Sequence, residues 1–190
     1  MNQNSRSIVS FTMVSHAIVH TYELSIPILV VIWLSEFSIT TAAIGTVVAV
    51  GYALFGVGAL PSGVLADRYS TKRLVLVGLA GMGASFLLLS LAPGTATIAL
   101  ALALWGAFAS IHHPASLSLI STGVDESGTG FAYHGMAGNL GIAFGPFLTA
   151  SLLVAFDWRV VAALLVVPAA VAVAYALSAE FDEMAAVDVD

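Results

Sequence analysis

Six apolar runs, each about as long as a bilayer is thick, fill this chain almost from end to end. A helical span takes about 20 apolar residues, at about 1.5 Å of rise each across about 30 Å of hydrocarbon. The runs cover roughly residues 8–34, 41–66, 74–91, 96–122, 131–155 and 160–179. They are continuous, whereas the strands of a membrane β-barrel alternate with a period of two. The expected fold is therefore all-α and integral to the membrane, because in lipid a helix satisfies its own backbone polar groups. Composition agrees: the chain is 59% hydrophobic and 8% charged, against about 25% charged in soluble domains. The first run is too long for the apolar part of a cleaved leader, and no small-x-small site follows it. It is expected to remain as the first helix.

Residues 1–190 read as one six-helix domain ending in an acidic tail, residues 180–190. That tail holds five of the eleven acids, Glu180, Asp182, Glu183, Asp188 and Asp190, and is expected to be solvated. The net charge of −6 gives no basis for a nucleic-acid partner; the evident partner is membrane lipid. With no cysteine there is no disulfide framework and no thiolate metal site. Arg6, Arg68, Lys72 and Arg73 fall on one side of the six-span pattern and only Arg159 on the other. Basic residues favour the cytoplasmic side. Both termini are therefore expected in the cytoplasm of a cell whose plasma membrane holds the protein. Trp33 and Trp158 then fall near the outer interface, where indoles prefer to sit.

Ionisable side chains inside a span are rare, so each is a functional candidate. The first run carries Thr12, His16, His20, Glu23 and Pro27, at separations of 4, 4, 3 and 4 that put all five on one helical face. The fourth carries Ser110, His112, His113 and Pro114, and the fifth His134 and Asn139. The third and sixth carry nothing ionisable at their centres and are expected to face lipid on most sides. At about 1.5 Å per residue, His16 and His113 lie about 12 Å deep and His20 about 18 Å. His20, Glu23, His113 and Asn139 are expected to line an internal polar cavity, with His16 and His134 nearer its inner mouth. His112 either joins them or hydrogen-bonds a neighbouring helix. Histidine titrates near neutral pH, and a buried carboxylate needs a partner or a proton, so protons are an expected partner. His16 and His20 also have the i, i+4 spacing of a helical ligand pair. No further ligand motif accompanies them, so no metal and no cofactor are expected; a histidine-held metal or haem is the lesser reading. No nucleophile–base pair or phosphate loop is visible, and an enzyme is not expected.

Five prolines, Pro27, Pro61, Pro114, Pro146 and Pro168, fall inside spans. Membrane helices tolerate proline where a neighbour satisfies the freed carbonyl, and helices bent in this way often line transport sites. For Pro61 and Pro168 a packing kink is an equal reading. Gly45, Gly51, Gly56 and Gly58 in the second run, and Gly135, Gly138, Gly141 and Gly145 in the fifth, are expected to let helices pack closely.

The one strongly charged stretch, Gly63-Val64-Leu65-Ala66-Asp67-Arg68-Tyr69-Ser70-Thr71-Lys72-Arg73, joins the second and third runs. Its G-x-x-x-D-R-x-x-x-K-R spacing resembles the loop between helices 2 and 3 of the major facilitator superfamily, with Ser70 where that family has Gly. Gly141-Ile142-Ala143-Phe144-Gly145-Pro146 is similar to part of the family's helix 5 antiporter motif, with Thr149 and Ala150 in place of later glycines. Asp157-Trp158-Arg159 resembles the Trp-Arg start of helix 6. The stretches His16 to Pro27, His113-Pro114-Ala115 and His134 to Gly141 are together similar to the fosmidomycin-resistance-like branch.

The resemblance implies the first half of a twelve-helix fold, itself a 3+3 inverted repeat, in which helices 1, 2, 4 and 5 border the cavity. It implies a secondary active transporter, with proton-coupled export of a small molecule or drug by alternating access. No Lys or Arg lies within a span to hold a phosphonate, so the substrate stays open. A six-helix chain is expected to pair with a second copy as a parallel homodimer. In the family the loop Asp lies near the start of helix 11. Here Asp67 would meet the start of the partner's fifth helix, while Arg68 and Arg73 hold the loop or touch headgroups; Gly63 and Lys72 belong to the same gating loop. The rival from another class is a non-transporting six-helix fragment or oligomeric scaffold.

Overall fold

The structure, a computed structural model, describes residues 1–187. Helix α1 (Gln3–Glu36) is the first span; α2 (Thr41–Val57) and α3 (Ala59–Ala66) make the second, and α4 (Thr71–Ser90) the third. Helices α5 (Thr95–Ala109) and α6 (His112–Gly123) make the fourth, α7 (Ser127–Leu153) the fifth, and α8 (Trp158–Leu164) with α9 (Val166–Ser178) the sixth. All six are long and apolar enough to cross a membrane. The first starts at Gln3, ahead of the apolar run, because the Asn2 side chain accepts from the Ser5 N–H at 2.8 Å and caps it. The turn between fourth and fifth spans is only Val124–Glu126, shorter than the gap of residues 123–130 left between the fourth and fifth runs. There the Asp125 carboxylate takes the Glu126 N–H at 3.0 Å, and Glu126 takes the Thr129 hydroxyl at 3.3 Å, which holds the first turn of α7.

Proline sets where the even-numbered spans break. The interruptions at Gly58, Ile111 and Leu165 each stand three residues before a proline: Pro61, Pro114 and Pro168. A proline has no N–H, and its ring collides with the carbonyl four residues back, so the turn before it opens. Pro27 and Pro146 lie inside unbroken helices. The carbonyl that Pro27 leaves without an intrahelical donor is that of Glu23. It accepts the Tyr52 hydroxyl, from the second span, at 2.7 Å. The Tyr22 hydroxyl reaches the Leu165 carbonyl, at the break of the sixth span, at 2.9 Å.

Glycines bring backbones together at two seams. On α7, a Cβ at Gly141 would fall on the Ala17 carbonyl of α1, and one at Gly145 would come within 2.6 Å of the Thr21 carbonyl oxygen. Between the second and fourth spans, a Cβ at Gly106 would strike the Gly51 carbonyl. Gly45, Gly56 and Gly135 have open space beside them, so they do not contribute to packing within the chain.

One expectation about the apolar exterior is corrected. Span Thr71–Ser90, expected to face lipid, is the best covered of the six, with 56% of its most apolar window buried. Its glycines and serine at Gly78, Gly81, Gly83 and Ser85 let neighbours close on it. The least covered spans are Thr41–Ala66 at 11% and Ser127–Leu153 at 28%. Trp33 and Trp158, at the end of the bundle that carries Glu36 and Arg159, are buried within the protein and meet edge to face at 5.8 Å. Arg159 lies 4.3 Å over the Trp158 ring and pairs with Glu36 at 2.9 Å, and this network draws the indoles inward.

At the opposite end, the acidic tail is docked over residues 180–187; Asp188 and Asp190 lie outside the described residues. The Asp182 N–H donates to Asn4 Oδ1 at 2.7 Å, the Thr122 hydroxyl to the Glu183 carbonyl at 2.6 Å, and Phe181 packs 5.3 Å from Phe11. The Glu183 carboxylate accepts the Thr71 N–H at 2.7 Å, the Lys72 N–H at 3.4 Å and the Ser70 hydroxyl at 2.5 Å. Ser70 Oγ takes the Arg73 N–H at 3.2 Å, so the first-turn donors of α4 are shared between Ser70 and Glu183. The solvated-tail expectation fails for Glu183 because these free amides attract it. Burial pushes its carboxyl up, but the donors outweigh burial and hold it below its ordinary value. Ser70 has φ −53°, so the turn needs no glycine where the family has one.

Candidate functional site

All five histidines of the chain meet at one place, where α1, α6 and α7 face each other. His16 and His20 come from successive turns of α1; His112 and His113 sit at the break that Pro114 imposes on the fourth span. His134 is carried by α7, which the Gly138, Gly141 and Gly145 row holds against α1. A Cβ at Gly138 would stand 2.5 Å from the His16 ring, so only glycine leaves room for it.

His16 is the hub. Its Nδ1 lies 2.8 Å from the His134 carbonyl, and a carbonyl only accepts, so this nitrogen donates. Its Nε2 lies 2.9 Å from His20 Nε2 and 3.1 Å from His113 Nε2. On the far side of His20, Nδ1 meets Glu23 Oε2 at 2.5 Å. The His16 ring also stacks on His134, centroids 3.8 Å apart and planes 9° from parallel. His112 lies beyond, stacked on both at 5.5 and 5.8 Å, with Ser116 Oγ 3.3 Å from its ring nitrogens. His16, His112 and His134 are buried, while His20, Glu23 and His113 are half-buried along one open edge. Both ring nitrogens of His134 are buried without a hydrogen-bond partner.

Of the residues picked out in the sequence, His16, His20, Glu23, His113 and His134 are thus brought together. Asn139 is not: it stands exposed on α7, and no hydrogen bond among the described residues joins it to the histidines. Five residues beyond His134, it is turned to another helical face. His112, left open between two readings, belongs to the buried part of the cluster. Tyr52, a lone tyrosine in an apolar run, carries no signal in the sequence; its link to Glu23 follows only from Pro27. Gly141 and Gly145 lie at the α1–α7 seam, and Pro146 follows Gly145 directly in α7. Of the loop residues, Gly63 has open space beside it, and Asp67, Arg68 and Arg73 are exposed. The Lys72 ammonium donates to the Ala179 carbonyl and lies 5.3 Å over Phe181.

A bundle of six membrane-length helices, two of them largely uncovered, with a polar cluster between three spans, defines a polytopic membrane protein with a polar site among its helices. The chain belongs to the Major Facilitator Superfamily, whose family profile matches residues 10–185. This is a family of transporters rather than enzymes. A puromycin resistance protein, pur8 of Streptomyces alboniger, is 37% identical over 108 residues, 55% of this chain and 22% of that protein. A bacterial homologue of the human lysosomal transporter Spinster, inward-facing and occupied, superposes with TM-score 0.80 at 14% identity, covering 96% of this chain and 46% of that one. A peptide transporter, POT, crystallised with sulfate gives TM-score 0.65 at 17% identity, covering 90% and 36%. The chain thus spans less than half the length of these relatives.

Proposed function

We propose that this chain forms one six-helix half of a secondary transporter that exports a small molecule in exchange for protons, by alternating access. The observation that carries this reading is the His113–His16–His20–Glu23 array: ionisable groups linked ring nitrogen to ring nitrogen and, at its end, nitrogen to carboxylate oxygen, inside a transporter fold. Intramembrane chains of His and carboxylate are what proton relays are made of. The name of the puromycin resistance relative favours export. The plasma membrane is the proposed site, with both termini cytoplasmic. Arg6, Arg68, Lys72 and Arg73 gather at the end where the tail docks, and Arg159 at the other.

The complementary half is proposed to be a second copy, related by a two-fold axis along the membrane normal. The low coverage of the second and fifth spans supports this, as does Asp67, exposed and with its carboxylate engaged by no hydrogen bond or ion pair among the described residues. Asp67 is proposed to sit on the start of the partner's fifth span, where the helix dipole and free N–H groups favour an anion. The test is uptake by proteoliposomes under an imposed pH gradient. The unmodified chain should accumulate substrate and Glu23→Gln should not, while remaining folded. Equal pH-driven uptake by the Glu23→Gln variant would remove Glu23 from the mechanism.

A further inference from the structure

We propose that His16, His20 and His113 form a binding site for a borderline divalent cation of the zinc class, held by their three Nε2 atoms. This goes beyond proton coupling and does not depend on it. The argument starts from which nitrogens carry hydrogen. His16 Nδ1 faces a backbone carbonyl at 2.8 Å and His20 Nδ1 a carboxylate oxygen at 2.5 Å. Both partners accept, so in the neutral rings both Nδ1 atoms carry the proton and both Nε2 atoms present a lone pair. These lone pairs confront each other at 2.9 Å, and His113 adds a third Nε2 at 3.1 Å from that of His16. One proton bridges one such pair; a cation set among the three nitrogens engages all of them at once.

The dimensions agree. Zinc binds imidazole nitrogen at about 2.0–2.1 Å in tetrahedral sites, which sets neighbouring nitrogens about 3.3 Å apart. The two spacings to His16 Nε2 fall a few tenths of an ångström inside that figure, and the ligand atoms of the three residues lie within 4.8 Å of one another. Ring orientation agrees as well. An imidazole lone pair lies in the ring plane, so rings stacked face to face cannot converge on one ion, whereas inclined rings can. His16–His20, His16–His113 and His20–His113 are inclined at 56°, 88° and 64°.

The nitrogens of His16, His112 and His134 also lie within reach of one another. Those rings, however, are stacked within 9° to 25° of parallel, so their lone pairs run side by side. That set does not chelate. The Nδ1 contacts complete the chemistry. Histidine ligands typically donate their second N–H to a carboxylate or a carbonyl, which fixes the ring and raises its basicity. Glu23 serves His20 in this way and the His134 carbonyl serves His16. Three nitrogens with no thiolate suit zinc, copper or nickel rather than magnesium or calcium. The half-buried edge at His20 and His113 leaves a fourth position for water or a donor atom of cargo.

The test uses the full chain purified in detergent and stripped with a chelator, then titrated with Zn²⁺ alone and Co²⁺ alone. It measures no transport, so a failure here and a failure of proton coupling are read separately. One ion per chain is expected, with the intense visible d–d bands of four-coordinate Co²⁺. His113→Ala should weaken binding at least tenfold, and Glu23→Gln by about 10–100-fold. Circular dichroism and monodisperse elution establish that each variant is folded; if His113→Ala fails this check, the Co²⁺ spectrum of the unmodified chain decides. Weak octahedral bands, no stoichiometric binding, or undiminished binding by folded His113→Ala would overturn the proposal. Loss on His112→Ala with retention on His113→Ala would assign the ion to the stacked set and overturn it equally.

Discussion

Glu23 acts through two separate parts of one residue. Its carboxylate orients His20, and its main-chain carbonyl, left free by Pro27, holds Tyr52 of the second span. The two roles are separable. Tyr52→Phe keeps the ring and removes the donor, leaving a part-buried carbonyl unpaired; a loss of about 1–3 kcal/mol in unfolding free energy is expected. Denaturant titration in detergent measures it, and an unchanged midpoint would show that another donor replaces Tyr52. The positions of His16, His20 and Glu23 on one face were legible in the sequence, because helical spacing alone fixes a face. The difference between His112 and His113 was not. Adjacent residues point about 100° apart on a helix, and which of them meets His16 depends on how the fourth span is broken. Asn139 shows the same limit: polarity marked it out, but its angular distance from His134 turns it away.

Among elements, the even-numbered spans are broken and the first, third and fifth are continuous. Proline positions were evident in the sequence, but whether each breaks or merely occupies its helix was not. For Pro27, Tyr52 of the second span supplies the lost hydrogen bond, a contact that no spacing in the sequence shows. The α1–α7 seam depends on glycine. Gly141→Ala puts a methyl group onto the Ala17 carbonyl, and backbone cannot yield as a side chain can. A loss of about 1–3 kcal/mol, typical of overpacking, is expected in thermal unfolding of the detergent-solubilised protein. Gly135→Ala, which meets open space, is the matched control.

The Glu183 cap has a pH signature. A carboxyl held below its ordinary value of 4.5 gives its full stabilisation above that value and loses it as pH falls through the folded value. The Thr71 and Lys72 amides should therefore be protected from hydrogen exchange at neutral pH and lose protection, relative to mid-helix amides of α4, on acidification. Glu183→Gln should weaken the cap at neutral pH by about 1 kcal/mol. The cap itself could not be read from the sequence, since Glu183 and Thr71 are joined only when the sixth span returns beside the third.

For the whole molecule, the six-span architecture was the most legible level of all, because bilayer thickness imposes it on any run of this length and polarity. Which spans lie outermost was not, since coverage depends on small residues spread over several helices. The uncovered second and fifth spans lead to the dimer prediction. Cysteines at Asp67 and Thr129, both exposed, should cross-link between chains in a protein with no cysteine of its own. A strictly monomeric species that still transports would exclude the dimer. Impermeant labelling at positions near Glu36 but not near Asp125, from outside intact cells, is the expected result for the proposed orientation.

The burial of Trp33, Trp105 and Trp158, the chain's three tryptophans, makes its ultraviolet emission a report from the interior. Brominated acyl chains, which quench indoles in contact with lipid, should leave most of that light intact. Trp105 packs against Tyr52 and Phe55, and Phe55 packs against His113. With Trp33 and Trp158 replaced by Phe, the remaining emitter stands one ring away from the histidines, a built-in optical probe of whatever binds there.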